Sequence, residues 1–309
     1  MPVSLPDVLV LGGGGVLGEA WMMGVLAGFE DDTALDLRRC EYYVGTSAGS
    51  IVAAHLVAGR RPRRPQDIPG PSQGPEAPAA QSSRLAEAGA RAARQAGSFA
   101  VHMAGTFAPL ALGLAAPGGA VLRGAMLRRL PRPDQSLDGL RERVERSGAR
   151  FDGRLRVTAV DRLSGRRVLF GSPGAPRATV AEAVTASCSV PWLFEPVRIG
   201  GRDYVDGGVW SPTNMDAAPV RRGAHVLCLN PTASLRGAGD LIGALRRVSR
   251  SAATVETLAL RARGAVVEFV GPDASSALAM GENLMDRGPS AEVISAGYRQ
   301  GCGLARAWR

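Results

Sequence analysis

The chain has 309 residues, 45% of them hydrophobic, 5% aromatic and 21% charged. That is enough apolar material for one large domain, or a domain with an appendage, and it excludes a chain without a sizeable core. The net charge is +9 and all 37 basic residues are arginine, a uniformity that reads as compositional bias. The charge favours an anionic partner. No aromatic-interleaved basic stretch or DNA-reading helix pattern is present, so a lipid surface is preferred to nucleic acid.

Cys40, Cys188, Cys228 and Cys302 are far apart and form no Cys-x-x-Cys. Buried thiols in a reducing compartment are expected, with no metal site and no disulfide framework. The N-terminus has no basic stretch ahead of its apolar run, so no signal peptide is expected. The expected location is cytoplasmic, at most peripheral at a membrane.

The first unit spans residues 7–59 and reads βαβα. Asp7 to Leu11 is a short apolar strand, followed at once by the glycine row Gly12 to Gly15 and then Gly18. A helix runs from about Glu19 through Trp21, Val25 and Phe29. Tyr42 to Val44 is a second strand, and it leads into Gly45-Thr46-Ser47-Ala48-Gly49 and a helix over Ser50 to Ala58. Residues 60–82 alternate arginine with proline and then collect Pro, Gly, Ser and Gln. Such a stretch cannot bury a core and is expected as a mobile loop. Residues 83–97 have the spacing of an alanine-rich helix. Residues 98–116 carry no Asp, Glu or Arg. Gly105, Pro109 and Gly113 argue against a membrane span there, leaving a buried hairpin, a lid or a membrane patch.

From Arg154 the pattern turns to strands. Leu155 to Val160 and Arg167 to Phe170 flank a Ser164-Gly165 turn, and Val197 to Ile199 and Arg202 to Val205 flank Gly200-Gly201, a hairpin signal. Thr179 and Glu182 form a capping box for a short helix. Ala224 to Leu229 and Ala265 to Val270 are further strands, and a last helix is expected after Pro289. Leu241, Leu245, Val248, Ala252, Val255, Ala259 and Ala262 step by three and four, which predicts a helical stripe packed on the sheet. A core unit over residues 6–230 and a mostly helical part over 231–309, packed on the same core, are expected from this order.

Gly45-x-Ser47-x-Gly49 has the form of a nucleophile elbow, and it stands where that device must, between a strand and a helix. Gly13 to Gly18 also fits the dinucleotide fingerprint Gly-x-Gly-x-x-Gly. That fold needs an acid at the end of the second strand, where Ser47 sits. A nucleotide-binding regulatory module therefore remains an alternative, and an oxyanion hole built from the N–H groups of Gly13, Gly14 and Gly15 is preferred. Two bases are conceivable. Asp206 follows a strand and precedes Gly207-Gly208, whose turn can hold a carboxylate. The order Ser47, Asp206, His225 also imitates an α/β-hydrolase triad. His55 and His102 have no such placement.

Taken together, the Gly13–Gly18 row, Gly45–Gly49, and Asp206-Gly207-Gly208 resemble the patatin-like phospholipase family, in family order over about residues 8–220. Ala186 to Pro191, Phe194, Pro196 and Tyr204 resemble the run that precedes its aspartate. Two positions depart from the family pattern: Leu17 where Arg or Lys is common, and Asn214-Met215-Asp216 where Asn-x-Pro is common. The resemblance implies a three-layer α/β hydrolase with a mostly parallel central sheet between helices. It also implies a Ser47–Asp206 dyad without histidine, no cofactor, and a lipid or other acyl-ester substrate.

Overall fold

The computed structural model describes residues 4–68, 119–234 and 252–308. The expected helix over 83–97, the charge-free stretch 98–116 with His102, and Leu241, Leu245 and Val248 lie outside the described residues.

Eight strands form one mixed sheet: β1 (Val8–Leu11), β2 (Tyr42–Thr46), β3 (Leu155–Asp161), β4 (Arg167–Phe170), β5 (Val197–Ile199), β6 (Arg202–Asp206), β7 (His225–Leu229) and β8 (Val266–Val270). Their order is β5-β6-β3-β2-β1-β7-β8, with β4 paired to β3 off this path. The pairs among β3, β2, β1, β7 and β8 are parallel; β4 and β6 run antiparallel to β3, and β5 to β6. The central strands are apolar on both faces because both are covered. Leu9, Leu11, Tyr43, Leu227 and Leu229 enter one core, while Val8, Val10, Val44, Val226 and Cys228 enter the other.

The first core lies under α1 (Gly15–Thr33), α2 (Ala48–Val57), α4 (Asp138–Ser147), α5 (Val180–Cys188) and the long final helix. The second lies under the helix over residues 252–262, called α6, and a 3-10 turn at Met215–Ala217. A third patch joins α3 (Gly119–Arg129) to β3 and β6 through Leu127, Val160 and Val205. Two more helices complete the described residues, α7 (Ala274–Met280) and α8 (Ser290–Ala307). This is the expected three-layer arrangement, and among the described residues no helix is long and apolar enough to cross a membrane.

Helix α1 is buried almost all round, from Leu17 to Glu30. Such a helix needs a cover on the side away from the sheet, and α8 supplies it. A Cβ at Gly28 would overlap the Tyr298 carbonyl, and one at Gly301 would overlap the Val25 carbonyl. The backbones are therefore in direct contact, locked by a 2.8 Å bond from Trp21 Nε1 to Gln300 Oε1.

Local signals match the structure. The capping box of Thr179 and Glu182 closes in both directions, and Gly200 and Gly201 both have positive φ, as a tight hairpin turn demands. Within the stretch expected as a mobile loop, Arg64 pairs with Asp31 at 2.6 Å and Glu30 at 3.4 Å near the end of α1. One expectation is corrected. The stripe on α6 has another phase: Ala253, Glu256 and Leu260 are buried, whereas Val255 is 64% exposed. Contact with the segment around Met215 sets that phase, and alanine-rich spacing does not reveal it.

The glycines give a test within one helix. Gly303, two residues from Gly301, faces open space, and a Cβ added there would meet nothing within 4 Å. Gly303→Ala should be neutral or stabilise by about 0.5–1 kcal/mol through helix propensity. Gly301→Ala should destabilise by about 1–3 kcal/mol through overpacking. Thermal melts of the two variants check this, and equal melting temperatures would remove the close-packing account.

Candidate active site

The site lies at the C-terminal ends of β1 and β2, beside the point where chain order reverses between β1 and β7, the usual place for a ligand crevice in such sheets. Its first component is the turn at Ser47. The residue has φ +50° and ψ −122°, directly between β2 and α2. A non-glycine residue in that region costs on the order of 1–3 kcal/mol. The turn is held by its surroundings. The Ser47 N–H donates to Ser187 Oγ at 2.9 Å, and the Ser47 carbonyl accepts from the Ser50 N–H at 2.8 Å and Ser50 Oγ at 2.6 Å. Gly45 and Gly49 are needed for space: a Cβ at Gly45 would lie 2.5 Å from Ser50 Cα, and one at Gly49 would overlap the Leu11 carbonyl.

The second component arrives from β6. Thr46, the last residue of β2, pairs with Thr158 of β3, and Asp206, the last residue of β6, pairs with Ala159, the next residue of β3. β2 is parallel to β3 and β6 antiparallel, so the two strands meet head to head and their C-terminal residues converge. The Gly208 N–H donates to Asp206 Oδ1 at 2.6 Å, and the Ser47 side chain stands beside the same carboxylate. The Asp206 N–H is itself anchored on the Ser189 carbonyl at 2.9 Å. The run Ala186–Pro191 thus fastens both partners, Ser47 through Ser187 and Asp206 through Ser189. Asp206 is only 5% exposed. Burial pushes its carboxyl up to about 7, against the opposing pull of the Gly208 N–H and the Ser47 side chain.

The glycine loop packs against the serine, with a Cβ position at Gly13 lying 3.5 Å from Ser47 Cβ. Its donors are not equivalent. The Gly12 N–H donates to the Leu229 carbonyl at 2.9 Å and the Gly13 N–H to the Pro212 carbonyl at 2.8 Å. Gly13 is expected from the sequence as an oxyanion donor; in this structure that N–H is already committed. The N–H groups of Gly14 and Gly15 donate to no acceptor among the described residues and stand at the N-terminus of α1. Ala48 opens α2 directly after Ser47, so the serine stands at that helix's N-terminus as well.

The histidines are elsewhere. His225 opens β7, level through β1 with Glu41 at the start of β2, so it lies at the opposite edge of the sheet, roughly 20 Å from Ser47 at the rise of a β-strand. Its N–H donates to Asp7 Oδ2 at 2.7 Å and its ring meets Trp308. The Ser47–Asp206–His225 alternative is therefore excluded by topology. His55 is buried in α2, and burial, reinforced by Arg63, Arg60 and Arg143, pushes its imidazole down to about 4. Leu17 is fully buried. Positive charge near the loop comes instead from Arg63 and Arg143, 3.6 and 4.0 Å from the carboxylate of Glu19.

The model of the family described as patatin-like phospholipase matches residues 9–219. The chain belongs to that family. Membership carries the general chemistry of lipid acyl hydrolysis. No curated protein sequence matches the chain. Among solved structures, VipD from Legionella pneumophila is similar at 13% identity and TM-score 0.42, covering 98% of this chain and 67% of that one. The type III effector ExoU is similar at 16% identity and TM-score 0.38, over 98% of this chain and 53% of that one. ExoU in complex with SpcU from Pseudomonas aeruginosa is similar at 20% identity and TM-score 0.41, over 99% and 52%. This patatin-like chain thus spans about half the length of ExoU.

One residue of the patatin-like site was underrated by its sequence. Asn214 sits in the left-handed region at φ +50°. Its amide Nδ2 donates to the Ser211 carbonyl at 2.6 Å and lies 3.1 Å from Thr46 Oγ1 and 3.2 Å from the Gly207 carbonyl. Asp216, which departs from the family pattern, is tied to Arg167 by bonds of 2.6 and 2.8 Å. An isolated Asn between Thr and Met gave little sign of this, because its partners are 168 and 7 residues away in the chain.

The raised carboxyl of Asp206 makes a stability prediction. Its folded value, about 7, lies above the ordinary 3.8. The contribution of the protonated group is fully present below 3.8 and is lost as pH rises through 7, where the folded site must hold a buried charge. Asp206→Asn has no charge to bury. Its melting temperature relative to wild type should rise between about pH 5 and pH 8. A difference that stays constant with pH would contradict the assignment.

Proposed function

We propose that the chain is a serine acyl-ester hydrolase of lipids that works through a Ser47–Asp206 dyad. The observation that carries this reading is the convergence of Ser47, on a strained turn at a helix N-terminus, with the buried carboxylate of Asp206 at the facing end of β6. Ser47 Oγ attacks the ester carbonyl carbon while its proton passes to Asp206. The carbonyl oxygen becomes an oxyanion, received by the N–H groups of Gly14 and Gly15 with that of Ala48. On collapse the ester C–O bond breaks and the alcohol leaves with the proton from Asp206. Water then gives a proton to Asp206 and attacks the acyl-enzyme. The second intermediate expels Ser47 Oγ, which recovers the proton as the fatty acid departs.

An ordinary aspartate is a weak base. With its carboxyl near 7, Asp206 is a much better proton acceptor and is still mostly ionised in mildly alkaline solution. The lipid character of the substrate comes from the family. The reaction is placed at a lipid–water surface, to which a chain of net charge +9 is drawn when that surface is anionic.

Hydrolysis of a chromogenic acyl ester and of phospholipid vesicles tests the reading. Ser47→Ala and Asp206→Asn should each lower kcat/KM by at least about 1,000-fold while the fold persists. A fluorophosphonate should label wild type and not Ser47→Ala. The base must be deprotonated to act, so kcat/KM should rise with pH to a plateau with a midpoint near 7. Full activity in Asp206→Asn would overturn the dyad.

A further inference from the structure

Glu256 lies on α6, beyond the matched residues 9–219 and on the face of the sheet opposite α1 and α2. It is 7% exposed, in a stripe otherwise made of Ala253 and Leu260. Among the described residues no basic side chain forms a salt bridge with it. An apolar residue would fill this position without the cost of desolvating a carboxyl. Its partners give the reason for the carboxyl. Glu256 Oε2 accepts from Thr213 Oγ1 in a short hydrogen bond and from the Met215 N–H at 2.9 Å, while the N–H groups of Thr213 and Asn214 close on Ser211 Oγ at 3.3 and 3.2 Å. Burial, then the neighbouring Asp216 carboxylate, raise its affinity for a proton.

The segment gripped in this way, Ser211 to Met215, touches all three parts of the site. The Pro212 carbonyl accepts the Gly13 N–H at 2.8 Å. The Thr213 carbonyl accepts from Thr46 Oγ1 at 3.3 Å, one residue before Ser47. The Asn214 amide lies 3.2 Å from the carbonyl of Gly207, one residue after Asp206. We infer that Glu256 is a positioning residue for catalysis: through Ser211–Met215 it sets the oxyanion loop against Ser47 and Asp206. The inference rests on the Ser–Asp reading above for its catalytic consequence, while the contact itself stands on the geometry.

Glu256→Ala leaves the Thr213 Oγ1 and Met215 N–H donors without their acceptor. Glu256→Gln keeps one oxygen for the Met215 N–H. In the full chain, with active serine titrated by a fluorophosphonate, Glu256→Ala should lower kcat per titrated site by about 10–100-fold with KM within about threefold, the expected size of a small misplacement at a reacting centre. Glu256→Gln should recover most of that loss. Amide hydrogen exchange should quicken in peptides covering 12–18 and 207–215 of Glu256→Ala, with no change across the α1–α8 contact. Wild-type kcat per titrated serine in Glu256→Ala would overturn the inference, as would a uniform rise in exchange without a local excess. If wild-type Ser47 does not react with the probe, the hydrolase reading fails separately. The exchange comparison then decides on its own whether Glu256 holds the segment.

Discussion

Strand β3 is shared. Its first half pairs with β2, its second half with β6, and the two partners approach from opposite directions. This one constraint brings a serine and an aspartate 159 positions apart in the chain to the same point, with the residues before each already fixed by ladder hydrogen bonds. A loop would have to lose conformational entropy to hold either side chain in place. Here the sheet has done so, and the only unusual backbone geometry left at the nucleophile is the single turn at Ser47. The run from Ser187 to Ser189 then locks both ends with one donor–acceptor pair each.

At the same meeting point the carboxylate is buried. Burial disfavours the charged form of Asp206 and brings its carboxyl to the range where a proton can be taken up and returned near neutrality. A histidine relay is not required to bridge the gap between a hydroxyl and an ordinary carboxylate. On the proposed reading, the charge that develops on the substrate would be met by backbone N–H groups at helix N-termini, and Leu17 in the loop is buried and apolar. Beside the meeting point, Thr46, Thr158 and Asn214 hydrogen-bond one another and the Gly207 carbonyl, and Glu256 holds the neighbouring Met215 N–H.

How much of this was legible depends on range. The elbow, the capping box at Thr179 and the Gly200-Gly201 hairpin are local devices, and their residues announce them. The strand order was not legible; the α/β class was, from alternating apolar runs and helical stripes, and the three-layer arrangement came with the family resemblance. What stayed hidden involves partners far apart in the chain. The Gly13 N–H is taken by a carbonyl 199 residues away, and nothing near Gly13 says so. Arg64 looked like one more arginine in a proline-rich stretch until Asp31 appeared beside it. The stripe on α6 was misphased because Ala and Val occupy both of its sides, while the residue that fixes its phase, Glu256, is an acid that hydrophobic periodicity ignores.

The backbone contact between α1 and α8 joins two helices made far apart in time. Helix α1 begins at the oxyanion loop, and its outer side is apolar until residues 290–307 arrive to cover it. During synthesis the glycine loop and the elbow are made within the first fifty residues, but the helix that carries the loop stays unsupported until α8 emerges. A chain interrupted before α8 therefore holds every residue of the dyad and exposes a sticky helix in place of a formed site. Cover for α1, and with it support for the glycine loop at its start, waits on the synthesis of α8.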